Sequence, residues 1–286
     1  MAKKKNKKIR MLIDDIYSLI DKGEEKINED NLNAFLDTMR EEVIRFLSPY
    51  EGERKHLRLS AVGRENRKLW LEIHDPIKRK EIPQQRMRFF YGHILEAILL
   101  FLAKESGHKV KEQQKEVVLE GVKGHIDAVI DGVLVDVKSA SDYGFKKFQN
   151  GGVFNSDPFG YIGQISSYME AMDIEEGAFF VINKNSGNIT LMMMDELSTI
   201  NAAKRVRELK EIVQSDKIPD RCYEDIPYGN SGNYVLQNGC VFCHYKDRCW
   251  SHSNDGAGLR VFDYSNGPKY FTKVLKEPNV AEVLNG

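Results

Sequence analysis

Two short segments in the middle of the chain carry the residues best suited to do chemistry. Asp127 follows Gly-His-Ile, and further along Asp136 and Lys138 stand two positions apart. Residues two apart on a strand point to the same face of a sheet. An Asp-Gly pair at 131–132, between two apolar runs, is a strong hairpin signal. The sequence therefore predicts both aspartates and the lysine on adjacent antiparallel strands.

Two carboxylates beside a lysine suit the hydrolysis of phosphodiesters. Such carboxylates can hold one or two Mg²⁺ or Mn²⁺ ions, which polarise a phosphoryl oxygen and lower the pKa of a bound water. The lysine can orient that water or stabilise the negative charge that grows on the phosphate. The alternative is a solvated strand face with a cross-strand Asp–Lys pair, and the short pattern alone favours that alternative.

Two further pairs of polar residues change that balance. His93 and Glu96 lie three apart within the strongest predicted helix and share one of its faces. Either side chain could complete a metal shell, or Glu96 could be an ordinary surface residue. Gln164 and Tyr168 lie four apart on a later helix, where they could hydrogen-bond a phosphate or position the lysine, or simply pack.

The elements that must position these residues follow from hydrophobic periodicity. Helices are predicted at 11–48 (two helices), 69–73, 87–104, 161–172 and 195–214. Strands are predicted at 110–119, 125–130, 133–138, 178–182 and 189–194. A loop rich in Gly, Asn and Phe is predicted at 141–160. This order indicates an α/β fold with a mixed, partly antiparallel central sheet flanked by helices.

The four cysteines of the chain are confined to its last quarter, in the pattern Cys222-x17-Cys240-x2-Cys243-x5-Cys249. A CxxC pair with two more cysteines is typical of a metal site. Four thiolates suit tetrahedral Zn²⁺ or a [4Fe–4S] cluster, and unpaired core cysteines are the alternative. We expect a structural role, in which the metal pins the C-terminal segment to the core.

In order along the chain, Gly92…Glu96, Gly124-His-Ile-Asp127, Asp136-Val-Lys138 and Gln164…Tyr168 resemble the motifs of RecB-type PD-(D/E)XK nucleases. The resemblance covers about residues 57–250. It is nearest to the RecB-like exonucleases of the CRISPR-associated type and their phage-encoded relatives.

The resemblance implies a restriction-endonuclease-like core. The implied metal site consists of His93 or Glu96 with Asp127, Asp136 and Lys138, and Gln164 and Tyr168 are the implied contacts to DNA. Family members bind [4Fe–4S] through three C-terminal cysteines and one that precedes the core, but residues 59–67 of this chain contain no cysteine. Cys222 is the only candidate replacement, and a wholly local site favours zinc slightly.

The composition and net charge limit the classes of protein to which the chain can belong. With 41% hydrophobic and 30% charged residues the chain can form a globular core. A net charge of −1 argues mildly against a nucleic-acid binder, although local patches matter more. One such patch is a basic N-terminus, either a solvated tail or a phosphate-contacting arm: Lys3, Lys4, Lys5, Lys7, Lys8 and Arg10. Neither a membrane span nor a secretory signal is expected, which favours a cytoplasmic protein.

The predicted organisation is a basic tail with helices at 1–56, a nuclease core at 57–215, and a cysteine segment packing on the core at 216–286. The leading hypothesis is a DNA exonuclease that acts on single- or double-stranded ends in replication, recombination or repair, with other proteins of those processes as further partners. The alternatives are a non-catalytic DNA-binding module with a structural metal and a restriction-type endonuclease. For the latter, no base-reading element can be identified.

Overall fold

A computed structural model describes residues 8–23, 26–49, 56–77, 83–194 and 198–283. The contacts between residues divide the chain into two compact units. Unit 1 comprises residues 1–64 and 76–211, and unit 2 comprises Glu65–Asp75 and Ile212–Gly286. The predicted three-part division stays a prediction. Among the described residues, no helix is long and apolar enough to cross a bilayer.

The helices are α1 Leu12–Lys22, α2 Glu29–Leu47, α3 Asn66–His74, α4 Pro83–Glu105, α5 Asp142–Gln149, α6 Tyr161–Met172, α7 Ala202–Gln214, α8 Asn238–Val241 and α9 Lys246–Cys249. The strands are β1 Val110–Lys111, β2 Glu116–Leu119, β3 Val122–His125, β4 Ala128–Ile130, β5 Val133–Ala140, β6 Gly177–Asn183, β7 Ile189–Met193, β8 Ile226–Tyr228, β9 Asn233–Val235, β10 Arg260–Tyr264 and β11 Gly267–Lys273.

Unit 1 is built on a five-stranded sheet in the order β1-β4-β5-β6-β7. Only the central pair, β5 and β6, is parallel, and every other neighbouring pair is antiparallel. A parallel pair needs a crossover connection, and α5 and α6 provide it. The prediction of a mixed α/β fold with a partly antiparallel central sheet is confirmed. The chain also adds a separate hairpin of β2 and β3.

Alternation along β5 and β6 gives the sheet two differently covered faces. Val135, Val137 and Phe180 join a buried cluster with residues of α1 and α4. On the opposite face, Phe179 lies with its ring centroid 5.3 Å from that of Phe148 in α5. It also lies 6.2 Å from the ring of Tyr161 at the start of α6. Asp136 and Lys138 alternate with the two valines, so they fall on the α6 side.

The predicted strand at 125–130 is wrong in one respect, because it is interrupted at Ile126 and Asp127. The Ile126 amide donates to the Lys115 carbonyl, and the Asp127 carbonyl accepts from the Gln114 amide. The backbone of these two residues thus bonds to residues 114–115, and β4 begins only at Ala128. The predicted Asp-Gly hairpin is confirmed, since Ile130 pairs with Val133 across the turn.

The prediction of a loop at 141–160 is also wrong, because its first half forms α5. The Ser141 hydroxyl accepts a hydrogen bond from the Gly144 amide and caps the helix. Phe145 and Phe148, three residues apart, are both buried. The helix of 195–214 begins later than predicted, at Ala202, and residues 195–197 of that prediction lie outside the described residues.

The start of α6 packs against a preceding loop by direct backbone contact. A Cβ atom placed on Gly163 would lie 2.4 Å from Gly63 Cα, and one on Gly160 would lie 2.5 Å from the Gly63 carbonyl carbon. Gly160 also has a φ of +78°, which favours glycine. Glycine at these positions is therefore what lets α6 approach closely enough to contribute to the site.

A buried histidine ties α1 to the β4–β5 turn. His108 lies 2.6 Å from Asp131 through Nδ1 and 3.2 Å from Asp15 through Nε2. Lys8 Nζ donates to the Gly107 carbonyl at 2.8 Å, so this lysine takes part in the fold. The remaining lysines of the predicted basic tail, at 1–7, lie outside the described residues.

Unit 2 combines a four-stranded antiparallel sheet, in the order β10-β11-β9-β8, with the short helices α3, α8 and α9. Its aromatic core includes Phe262 and Phe271, whose rings meet edge to face at 5.2 Å. A second cluster joins Trp70 and Leu71 of α3 with Tyr245. The predicted short helix at 69–73 is confirmed as part of α3.

Candidate active site

Asp127 and Asp136 approach each other at the open end of the β4–β5 hairpin. Continuing the register beyond the pair Ala128–Val135 places the two aspartates opposite each other. Asp127 Oδ2 accepts a hydrogen bond of 2.7 Å from the Val137 amide. The Asp127 carboxylate thus accepts from a backbone amide of β5 that a longer β4 would have paired with. This hydrogen bond fixes the carboxylate beside β5.

Asp136 is 1% exposed and pairs with Lys138, whose side chain is 20% exposed. Lys138 Nζ lies 2.6 Å from Asp136 Oδ2. Even so, no hydrogen bond of good geometry from the described residues reaches either carboxylate oxygen of Asp136. We regard the contact as a close ion pair that leaves Oδ1 without a partner. A buried carboxylate with an oxygen that lacks a hydrogen-bond partner destabilises the folded state.

Glu96 of α4 is the third acid of this cluster. Its Oε1 accepts a hydrogen bond of 2.6 Å from Gln114 Nε2. Burial raises the pKa of Glu96 to about 7, and repulsion from Asp136 adds to this rise. His93, its neighbour on the helix, is exposed. Of the two residues predicted as alternative ligands, the structure therefore brings Glu96 to the cluster and leaves His93 at the surface.

Burial is the largest cause of the raised pKa values of the three acids, and repulsion between carboxylates adds a smaller contribution for Asp127 and Glu96. Burial and repulsion from Asp136 and Glu96 hold the pKa of Asp127 well above its usual range. Burial also raises the pKa of Asp136, despite the lysine beside it. For Lys138 burial acts in the opposite direction, but Asp136 and Asp127 together outweigh it and raise its pKa above the ordinary 10.5. Lys138 is therefore protonated at neutral pH and carries a positive charge beside these acids.

Gln164 and Tyr168 of α6 continue the polar network beside Lys138. Gln164 Oε1 accepts a hydrogen bond of 3.5 Å from Lys138 Nζ. Burial raises the pKa of Tyr168 to about 12, with a further contribution from Asp136, so its phenol remains protonated at neutral pH. Gly124 permits this arrangement, because a Cβ there would lie 2.7 Å from Tyr168 Cε1.

Three residues near the cluster escaped sequence reasoning. Gln114 holds Glu96, and Tyr161 places its ring 5.1 Å from Lys138 Nζ. Glu42 of α2 is buried, lies 2.9 Å from Arg45, and raises the pKa of Glu96. Gln114 and Glu42 lie outside the motifs, and no sequence signal marked them. Tyr161 stands three residues before Gln164, so helical spacing could have indicated it.

Among the described residues, no three His, Cys, Asp or Glu side chains stand together as a ready metal-binding group. The chemistry of the acid cluster nevertheless fits a hard cation. It offers carboxylate oxygens, which Mg²⁺ and Mn²⁺ prefer, and one of them is buried without a partner. A cation would also relieve the repulsion that adds to the effect of burial in raising the pKa values of Asp127 and Glu96.

The four cysteines all lie in unit 2 and are free thiols. Burial raises the pKa of Cys240 to about 11, and the other three thiols add to this rise. Arg67 Nε donates to Cys249 Sγ at 3.2 Å. Burial raises the pKa of Cys222, and a backbone hydrogen bond from Lys68, at the start of α3, acts against that rise.

Comparisons with known proteins give only distant likenesses. Neither the protein-family comparison nor the comparison with curated proteins gives a match. Among solved structures, the fold is similar to that of SSO0001, with 16% identity over 73% of this chain and 93% of that chain and a TM-score of 0.42. It is also similar to the alkaline exonuclease LHK-Exo from Laribacter hongkongensis, with 15% identity over 54% and 91% and a TM-score of 0.33. The same enzyme in complex with dAMP gives 15% identity over 55% and 93% and a TM-score of 0.32. At this level of likeness, the activity has to be inferred from the chain's own site.

Proposed function

We propose that the chain is a metal-dependent nuclease of the RecB-type PD-(D/E)XK class that hydrolyses phosphodiester bonds in DNA, acting as an exonuclease on single- or double-stranded ends. The observation that carries the proposal is the acid cluster that Glu96 and Asp127, both half-buried, form with the buried Asp136 beside Lys138. Lys138 Nζ lies 2.6 Å from Asp136 Oδ2, and Asp136 also raises the pKa values of Asp127 and Glu96. Among the described residues, Asp136 Oδ1 is buried and has no hydrogen-bond partner. A fold keeps such a costly arrangement when its function requires it.

Glu96, Asp127 and Asp136 would hold Mg²⁺ or Mn²⁺. When bound, the ion supplies Lewis-acid polarisation of a phosphoryl oxygen and a lowered pKa for water. The side chains have separate tasks. Gln114 orients Glu96 through its hydrogen bond, and the Val137 amide orients Asp127. Both carboxylates are thus oriented before substrate binds. This reduces the reorganisation of the site that the reaction requires.

Lys138 supplies the positive charge that faces the phosphate. Its raised pKa keeps it protonated throughout the neutral range, so it stabilises negative charge as that charge develops. Gln164 holds the ammonium from the α6 side. Tyr168 stays protonated and offers a phenol hydrogen to this network. Gln164 and Tyr168 are therefore proposed both as positioning groups and as contacts to DNA.

The four-cysteine site is proposed to hold a structural Zn²⁺ or [4Fe–4S] within unit 2. The mutual influence of the thiols and the two donors near them, Arg67 Nε and the Lys68 amide, support this assignment. All four candidate ligands come from one segment, which favours zinc slightly. A cytoplasmic role in replication, recombination or repair, with other proteins of these processes as partners, completes the proposal.

The test is cleavage of end-labelled single- and double-stranded DNA with Mg²⁺, Mn²⁺ or EDTA. We expect metal-dependent products whose ladder from each labelled end gives the polarity. Lys138→Ala should lower the rate by at least about 100-fold, as for loss of a group that stabilises developing charge. Lys111→Ala, an exposed lysine on β1, is the matched control.

Three outcomes would contradict the proposal or its exonuclease part. Full activity in Lys138→Ala would reject the assigned site. Salt-sensitive DNA binding without any product in any metal would favour a DNA-binding module. Internal cuts at one sequence, without shortening from the ends, would favour a restriction-type endonuclease.

A further inference from the structure

A large aromatic ring stands exposed a short distance from the catalytic lysine. Phe159, in the loop before α6, is 65% exposed. Its ring stacks on that of Tyr161, with centroids 5.4 Å apart and planes inclined by 27°. Leaving this ring in water forgoes the stabilisation that burial of an aromatic side chain would give the fold. A function at the outer face of the ring would explain why it is not buried.

The ring under Phe159 is held firmly and touches the site. Tyr161 has its centroid 5.6 Å from that of Phe148, which is buried in α5. Lys138 Nζ lies 5.1 Å from the centre of the Tyr161 ring, within the range of a cation–π contact. Phe159, Tyr161 and Lys138 thus form a continuous stack that runs from solvent to the acid cluster.

A second lysine reaches the loop that carries Phe159, and this favours an anionic, base-bearing strand. Lys147 of α5 lies with Nζ 5.5 Å from the exposed ring of Tyr143 and donates to the Ser156 carbonyl at 3.5 Å. The nearest acid of the same loop, Asp157, accepts the Ile162 amide at 2.7 Å and thereby caps α6. An apolar protein partner would use the rings but not the lysines, whereas a nucleic-acid strand uses both.

We propose that Phe159 and Tyr161 form a platform on which an unpaired base stacks. The phosphate of the same strand would then lie at Lys138, at the inner end of the platform. This proposal rests on the nuclease function proposed above and narrows its substrate class to single-stranded DNA or ends with an unpaired terminal base. A base inside a duplex is already stacked on both sides and paired, so its face is not available to Phe159. Stacking tolerates every base, since each has a π-face, and implies binding without sequence preference.

The test measures binding apart from cleavage. A short single-stranded oligonucleotide with 2-aminopurine at one end is titrated with the full chain in EDTA, and fluorescence quenching reports stacking of that base. Blunt duplex of the same sequence is titrated in parallel. We expect Phe159→Ala to weaken single-strand binding by about 5- to 150-fold and to abolish quenching, because base–aromatic stacking contributes about 1–3 kcal/mol per base. Blunt-duplex binding should change much less.

Three variants separate stacking from other effects. Phe159→Tyr should bind and quench like the wild type, since it keeps an aromatic face, and Phe159→Leu should behave like Phe159→Ala although it keeps an apolar side chain. Phe242→Ala removes a ring that is 83% exposed in unit 2 and should leave binding unchanged. Equal affinity and quenching in the wild type and Phe159→Ala would overturn the platform.

Two further results would also overturn it. The first is equal loss of single-strand and duplex binding in Phe159→Ala. The second is a change in oligomeric state in Phe159→Ala, seen by light scattering, with unaltered DNA binding, which would assign the ring to a contact between copies. If Phe159→Ala loses stacking but the wild type cleaves no substrate, the nuclease proposal is contradicted and the platform proposal stands. If Phe159→Ala cleaves every substrate as fast as the wild type, the platform proposal is contradicted and the nuclease proposal stands.

Discussion

Neutralising Glu96 should stabilise the metal-free protein, and the gain should grow with pH. The folded-state pKa of about 7 lies above the ordinary 4.5, so the folded state holds this proton more tightly than the unfolded chain. The stability that this difference provides is present below about pH 4.5 and is lost as the pH rises to about 7. Above that range the ionised Glu96 costs the fold about 3 kcal/mol.

The variant Glu96→Gln removes the charge and keeps the shape. Its amide oxygen can still accept the hydrogen bond from Gln114. Relative to the wild type, we expect Glu96→Gln to gain less than about 1 kcal/mol at pH 5 and about 3 kcal/mol at pH 8, a difference of about 2.5 kcal/mol. Added Mg²⁺ should reverse the order, since the wild type alone gains a full set of ligands.

The measurement is urea unfolding in EDTA, at both pH values, followed by far-UV circular dichroism. Circular dichroism is preferred to tryptophan fluorescence because Trp70 and Trp250 both belong to unit 2, whereas Glu96 lies in unit 1. Glu41→Gln, at an exposed position of α2, is the matched control and should show no such pH difference. An equal effect of Glu96→Gln at pH 5 and pH 8 would refute the inference that Glu96 is buried beside other carboxylates.

Two further predictions concern the supports of the two sites. Gly124→Ala should lower cleavage by at least about 10-fold while Mg²⁺ binding by calorimetry persists, because its Cβ would displace Tyr168 and Leu59; unchanged cleavage would mean that Tyr168 has no part in the reaction. Cys222→Ser should reduce bound zinc or iron, measured by elemental analysis, to well below that of the wild type, whereas Ser253→Ala should not; full metal content in Cys222→Ser would remove that residue from the site.

The sequence predicts most of the strands of the central sheet because short-range signals determine them. The Asp-Gly turn at 131–132 and the alternation of β5 suffice to place Asp136 and Lys138 on one face. The hairpin of β6 and β7 follows from the same kind of pattern. What the alternation cannot show is that β5 and β6 run parallel, because that pairing depends on the crossover through residues 141–176.

The errors have equally local causes. The composition of 141–160 suggests a loop, and the two buried phenylalanines of α5 are too few to establish a helical period. The break at Asp127 depends on bonds to residues 114–115, which no pattern around Asp127 reveals. Glu42 and Gln114 join the acid cluster from elements with no motif, so only their tertiary positions identify them.

The contact between Gly63 and the start of α6 restricts how this chain can diverge. Side chains on the surface of α6 can change one at a time, but any residue with a Cβ at Gly160 or Gly163 meets backbone rather than a movable side chain. No single compensating substitution at Gly63 can restore the space, because glycine is already the smallest residue. In distant descendants, these three glycines should persist after the surrounding sequence has become unrecognisable. They would then mark the lineage better than its acidic residues, which unrelated sites can acquire independently.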